Sequence, residues 1–312
     1  MHTVILHMTA LIACGVAWRL FRPGGLDADR TRQVLTGLVY YLLLPALVIQ
    51  VLWQAPLGIS SIGIAISAAV GVLACIALSS LICRRCNHDG SVTGAVVLAA
   101  SFPNATYMGL PVLESLYGDI GRSIAIQYDL FACTPLLLTV GILIARIYSD
   151  QDGKQGASRG RAVPLWQSLL RVPPLWAALA GVLLNLSGVA KPLALDQWLE
   201  LLAAGVIPLM IFSLGLSLRW DTIDMKRLPT VIPIVLLQLF IAPLLVWGTA
   251  QGVGLEGVVL VGTVMEAAMP SMVIGIVLCD RYGLDTGLYA AAVTLTTLLS
   301  LVTLPLWSGI LT

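Results

Sequence analysis

Residues 101–111 read Ser101-Phe102-Pro103-Asn104-Ala105-Thr106-Tyr107-Met108-Gly109-Leu110-Pro111, and residues 266–275 read Glu266-Ala267-Ala268-Met269-Pro270-Ser271-Met272-Val273-Ile274-Gly275. Each stretch sits inside an apolar run long enough to cross a bilayer as a helix, which takes roughly 20 residues. Pro103 and Pro270 lack an N–H and clash with the preceding turn, so each frees backbone carbonyls near mid-span. Polar groups gather at the same depth. Asn104 and Thr106 follow the first proline, Gly109 lets another backbone approach closely, and Glu266 lies one turn before the second proline. Unsatisfied backbone is not tolerated against lipid, so such breaks should face protein or a water-filled cavity. If both helices unwind, the N-termini of their second halves bring free N–H groups and partial positive charge to the bilayer centre, where they suit a carboxylate. The carbonyls ending the first halves favour a cation. The plainer alternative is a pair of proline kinks satisfied by their neighbours; matching positions in two halves weigh against it.

The composition sets the frame around these breaks. Hydrophobic residues make up 58% of the 312, about 181 side chains, and charged residues only 11%, against about 25% in soluble domains. A soluble core of this size would need a charged shell that this chain does not have, which argues against a soluble enzyme or a nucleic-acid binder. Apolar windows give ten spans, at about 3–21, 34–54, 58–82, 91–116, 122–147, 172–190, 196–218, 229–250, 256–280 and 286–311. The longest polar stretch, 148–170, reads as a cytoplasmic linker between a first five-helix repeat, 1–147, and a second, 171–312.

Charge orients the chain. Fifteen of the 17 Lys and Arg residues fall in alternate loops on one side; only Arg122 and Lys191 fall on the other. Positive loops stay cytoplasmic, so both termini are expected outside. Five spans per half force the second half to enter in the opposite sense, the arrangement of inverted-repeat transporters. The halves also echo each other. Leu44-Pro45-Ala46-Leu47 pairs with Ile207-Pro208-Leu209-Met210, and both interrupted spans end in Tyr-Gly, at 117–118 and 282–283. The fold expected is an all-α polytopic membrane protein: ten transmembrane helices in two inverted five-helix repeats, with broken helices 4 and 9.

Other chemistries find little support. Cys83-Arg84-Arg85-Cys86 followed by His88 has a zinc-like spacing but no second pair, and reads as a helix end; no metal site is expected. No His-Glu-x-x-His or Walker motif occurs, and His2, His7 and His88 all lie near span ends, so neither an intramembrane enzyme nor direct ATP drive is expected. The N-terminal apolar run has no Lys or Arg before it and no small-residue cleavage site, so it reads as the first span.

PNATYMGLPVLESLYG (103–118) and AAMPSMVIGIVLCDRYG (267–283) resemble the fourth- and ninth-helix signatures of the auxin efflux carrier family. The short linker makes a bacterial member, of the kind that includes malonate and malate permeases, the nearer match. The resemblance implies a scaffold of helices 1, 2, 6 and 7 and a transport domain of helices 3–5 and 8–10, whose helices 4 and 9 cross at Pro103 and Pro270. It also implies a secondary active transporter of a small organic anion, working by an elevator or rocking motion in the bacterial inner membrane. A sodium-coupled bile-acid-type or inorganic-ion carrier on the same fold is the alternative. Asn104 matches the family's crossover asparagine. Candidate substrate residues are Pro103, Asn104, Ala105, Thr106, Gly109, Pro270, Ser271 and Met272. The partners implied are a small organic acid and the bilayer, with homodimer formation open and no nucleic acid.

Among the other polar residues in apolar spans, Asp129 stands out, because an intramembrane carboxylate costs about 2.5–3.5 kcal/mol on insertion scales. With Glu266 and Asn104 it could form a sodium site of oxygen ligands or a proton-accepting pair, so Na+ or H+ is the coupling ion expected and no cofactor is. Otherwise Asp129 reaches outer water. Glu114 is expected at the outer vestibule or surface. Gln50, Asn185 and Ser213 read as interhelical hydrogen-bonders or as cavity lining, and Tyr107 and Met108 as substrate contacts or packing.

Overall fold

The computed structural model describes residues 2–86, 88–151, 165–222, 224 and 227–311. Regular structure among them is helical, apart from one isolated bridge between Pro103 and Ser271. We number the helices α1 His2–Phe21, α2 Ala28–Gln54, α3 Ile59–Cys86, α4 Gly90–Ser101, α5 Ala105–Ser149, α6 Leu165–Leu170 and α7 Pro173–Leu186. They continue with α8 Leu193–Ser217, α9 Leu228–Gly252, α10 Gly257–Ala267, α11 Gly275–Tyr282 and α12 Thr286–Leu311. Six of these, α2, α3, α5, α8, α9 and α12, are long and apolar enough to cross a membrane. Leu6–Phe21 of α1, together with α4, α7 and α10, are shorter apolar helices. Large apolar side chains such as Phe21, Ile59 and Leu201 point outward from the bundle, as a lipid-facing surface requires.

Two expected boundaries shift. α2 starts six residues before the expected 34, because Asp27 caps it: its carboxylate accepts from the Arg30 N–H at 3.0 Å, and Asp29 adds negative charge in the first turn. Of the expected linker 148–170, helical residues reach Gln151 and resume at Leu165; the stretch 152–164 lies outside the described residues.

α5 is not one rod but two helical legs joined at a kink. Gly118 sits at φ 59°, ψ −137°, a conformation that strains any residue with a Cβ. Arg122 pairs with Glu114 at 2.5 Å, and Gly121 lies so close to the Leu113 carbonyl that a Cβ there would overlap it. Thr106 hydrogen-bonds Asp129, 23 residues away, which a straight helix would separate by about 35 Å. The segment therefore folds back on itself at Gly118. Gly283, in the second Tyr-Gly pair, also has a positive φ, 67°.

Packing follows from small residues and shared polar ends. α1 lies on α8, with Gly15 against the Phe212 carbonyl and Gly215 against the Ile12 carbonyl, contacts with no room for a side chain. α2 packs on α7 and α8; α3 packs on α4 and α9; α10 packs on α9 and on α5 around its kink. Asn185 at the end of α7 donates to the Leu52, Trp53 and Ala55 carbonyls at 2.9–3.1 Å, closing the C-terminus of α2. At the other end of the bundle, Asp29 is shared by Arg19 (3.2 Å) and Arg219 (3.0 Å).

Candidate functional site

The two sequence breaks meet each other. The Asn104 N–H donates to the Pro270 carbonyl at 2.7 Å, and the Met272 N–H donates to the Phe102 carbonyl at 2.9 Å. Pro103 and Ser271 thus form an antiparallel bridge between α4–α5 and α10–α11. Each extended segment donates one N–H to a carbonyl of the other.

The remaining orphaned groups find donors from side chains. In a continuous helix the carbonyl of Ala99 would accept from residue 103, which is proline; instead the Ser271 hydroxyl donates to it at 2.7 Å. The corresponding carbonyl before Pro270, that of Glu266, takes the Met269 N–H at 3.2 Å. Gln238 of α9 donates to the Met269 carbonyl at 3.0 Å and, at 3.4 Å, to that of Ala267. The Thr296 hydroxyl of α12 accepts from the Ser271 N–H at 3.1 Å, and the Tyr289 hydroxyl donates to the Met272 carbonyl at 2.8 Å. Past the first break, the Met108 and Gly109 N–H groups share the Asn104 carbonyl at 3.2 and 3.1 Å, giving the wider opening turn of α5.

Beside this paired backbone two side chains are conspicuous. Asn104 is 1% exposed, and neither its amide oxygen nor its nitrogen has a hydrogen-bond partner among the described residues. Glu266 is 0% exposed, and neither carboxylate oxygen has one. Its carboxylate lies on Gly109, where a Cβ would overlap all three carboxylate atoms. Leaving a buried amide group unpaired costs about 1–3 kcal/mol, and a carboxylate more.

Asp129 does not reach outer water. It is buried, and it accepts from the Thr106 hydroxyl on one oxygen and from Thr134 at 3.0 Å on the other. Asn104, Thr106, Asp129, Thr134 and Met272 line one cavity of about 70 Å³, walled by Tyr40, Leu44, Tyr107, Leu130 and Ile274. Of the expected substrate residues, then, Asn104, Thr106 and Met272 face a common space. Pro103, Pro270 and Ser271 build the bridge, Ala105 is fully buried, and Gly109 underlies Glu266. Glu266 does not line this cavity.

Gln50 bonds Glu200 at 3.1 Å, while Ser213 is buried in α8 without a hydrogen-bond partner among the described residues. Met108 lies 3.7 Å from the Ser300 hydroxyl. Glu114, paired with Arg122, adjoins a larger cavity of about 380 Å³ whose lining includes Gln50, Arg122, Gln127, Lys191, Asp196 and Glu200. Arg122 and Lys191, the two cations on the sparsely charged side, both face it. Both are already paired, Lys191 with Asp196 at 2.5 Å, and carboxylates outnumber cations in its wall. Sequence reasoning missed Gln238, Thr134, Tyr289 and Thr296. A lone amide in an apolar run could have flagged Gln238; the other three look like ordinary helix residues.

A family model described as "Membrane transport protein" matches residues 4–308. The chain belongs to the membrane transport protein family. This agrees with the resemblance carried by the two interrupted spans. The chain is 29% identical over 310 residues to an uncharacterized transporter of Methanothermobacter thermautotrophicus, covering 98% of this chain and 97% of that one. It is 23% identical to an uncharacterized transporter of Methanocaldococcus jannaschii over 99% and 98% of the two chains. With the uncharacterized transporter YfdV of Escherichia coli it shares 24% identity over 67% of this chain and 65% of that one. This member of the family is an integral membrane transporter.

Proposed function

We propose that this transporter carries a small organic anion as a secondary active carrier, with Asn104 at the centre of its binding site. The observation that carries the reading is the Asn104 side chain, buried in a cavity wall with its donor and acceptor both unspent. A protein has no reason to bury an amide unpaired unless something else pairs with it. The Asn104 and Met272 backbone N–H groups are already engaged in the bridge, and the Asn104 side-chain nitrogen is an unspent donor for a carboxylate.

Glu266 and Asp129 supply the coupling. A buried carboxylate with no partner among the described residues, like Glu266, takes up a proton or a cation, and Asp129 presents a second set of oxygens next to Asn104. In this reading ten spans form two inverted repeats. The fold-back of α5, the two positive-φ glycines and the paired breaks all support it. Helices 1, 2, 6 and 7 hold still while the paired halves slide past them, the termini face outward, and the protein sits in the cytoplasmic membrane of a bacterial cell. A sodium-coupled carrier of another anion class is the second reading, favoured by the two buried carboxylates.

Reconstitution into proteoliposomes tests this. Accumulation of radiolabelled malonate or malate, with and without a sodium or proton gradient, is expected for the wild type and lost in Asn104→Ala. Failure to move any organic acid in a broad panel would overturn the proposal; accumulation only of larger amphipathic anions with sodium would favour the second reading.

A further inference from the structure

A second cavity of similar size adjoins the Asn104 cavity and has a cation in its wall. It measures about 80 Å³ and is lined by Arg32, Thr36, Tyr107, Ser213 and Ile274, among others. Tyr107 and Ile274 line both spaces. One face of α2 runs past the pair: Arg32 and Thr36 border the second cavity, and Tyr40 and Leu44, at the same four-residue spacing, border the first.

The electrostatics of this corner are unbalanced. Arg19, Arg32 and Arg219 gather at one end of the bundle around Asp29, whose carboxylate is occupied by Arg19 and Arg219. The Arg32 side chain makes no hydrogen bond or short ion pair among the described residues, Asp29 being its nearest acidic influence, and Arg32 borders the cavity. In the same wall, Ser213 is 2% exposed with its hydroxyl unpartnered among the described residues. A guanidinium with no hydrogen bond spent on a described residue and an unspent buried hydroxyl around one small space are suited to a carboxylate, which arginine holds through two parallel hydrogen bonds. The larger cavity at the far end has no such free cation, since Arg122 and Lys191 are paired with acids.

We propose that Arg32, Ser213 and Tyr107 form a second anion subsite, which takes the carboxylate of the transported acid at the neck leading to Asn104. This rests on the organic-anion reading above and adds to it a station for the charged group. The substrate class it selects is a compact carboxylate whose anionic group passes from the guanidinium of Arg32, along Tyr107, to the amide of Asn104.

Equilibrium binding of radiolabelled malonate to the purified full-length protein tests the subsite. Arg32→Gln is expected to raise the Kd roughly ten- to a hundredfold and to flatten its dependence on salt, because one charge pair is lost. Arg32→Lys should recover part of the affinity, and Arg30→Gln, an exposed residue of the same helix, should leave it unchanged. A wild-type Kd in Arg32→Gln, with binding still abolished by Asn104→Ala, would overturn the subsite and leave the transport reading intact. Equal weakening by Arg30→Gln would also overturn it, as a general surface-charge effect. If Arg32→Gln does not fold, Ser213→Ala and Tyr107→Phe report in its place, and unchanged affinity in both overturns it. Absence of saturable malonate or malate binding to the wild type counts against the organic-anion reading itself, and the subsite falls with it.

Discussion

Pro103 and Ser271 face each other as an antiparallel bridge, 168 positions apart by their numbers, and the Ser271 hydroxyl closes the carbonyl of Ala99 that Pro103 leaves without a partner. One side chain thus repairs the damage done by a proline in the other half of the molecule. That reciprocity turns two broken helices into a single rigid junction, against which the side chain of Asn104 can be left open.

Ser271→Ala removes the hydroxyl and leaves the Ala99 carbonyl buried and unpaired, which should destabilise the protein by about 1–3 kcal/mol. Thermal unfolding of the detergent-solubilised protein reads this directly. A melting temperature equal to wild type would mean that the hydroxyl is spent elsewhere.

Gln238→Leu keeps the volume of the side chain but strips the Met269 carbonyl of its donor. Here too the loss should be about 1–3 kcal/mol, accompanied by reduced uptake, since the break before Pro270 is no longer held open. Uptake at wild-type rate with unchanged stability would assign Gln238 no part in the junction.

Gly109→Ala places a methyl group in the Glu266 carboxylate, an overpacking of about 1–3 kcal/mol. Removing the obstacle should remove the penalty. Gly109→Ala is therefore expected to be strongly destabilising in the wild type and nearly neutral in a Glu266→Ala background. An additive double-mutant cycle would show that the two groups do not touch.

Asn104→Ala, in contrast, breaks no side-chain hydrogen bond among the described residues. Its unfolding temperature should stay close to wild type while substrate affinity falls at least about tenfold, equivalent to about 1.4 kcal/mol. A variant as unstable as Ser271→Ala but with normal affinity would make Asn104 a structural residue. Glu266→Gln completes the set: it is expected to erase the sodium or proton dependence of uptake, and transport that still responds to either gradient would remove Glu266 from the coupling.

Much of this was legible in the chain itself. Proline at 103 and 270 has to interrupt a helix wherever it sits, because it lacks an N–H, and apolar runs beside sparse, one-sided charge require a membrane. Asn104 and Asp129 were visible for the same reason, as polar groups at a depth where polarity is costly. The start of α2 was harder: the cap at Asp27 lies in polar sequence that reads equally well as a loop.

What only the tertiary structure decided is which donor meets which acceptor. Ser271 reaches Ala99 across 172 residues, Gln238 reaches Met269 from another helix, and Thr106 reaches Asp129 because Gly118 reverses the chain. Such pairings leave no periodic mark, since helices packed on all sides carry no amphipathic stripe to show which face meets which neighbour. The sequence determined that two helices must break in the membrane and that polar groups lie there. Only packing determined that the breaks pair with each other, with the Asn104 and Glu266 side chains left without hydrogen-bond partners among the described residues and Arg32 beside the same route. A backbone group's need for a partner is local; the partner it finds belongs to the whole fold.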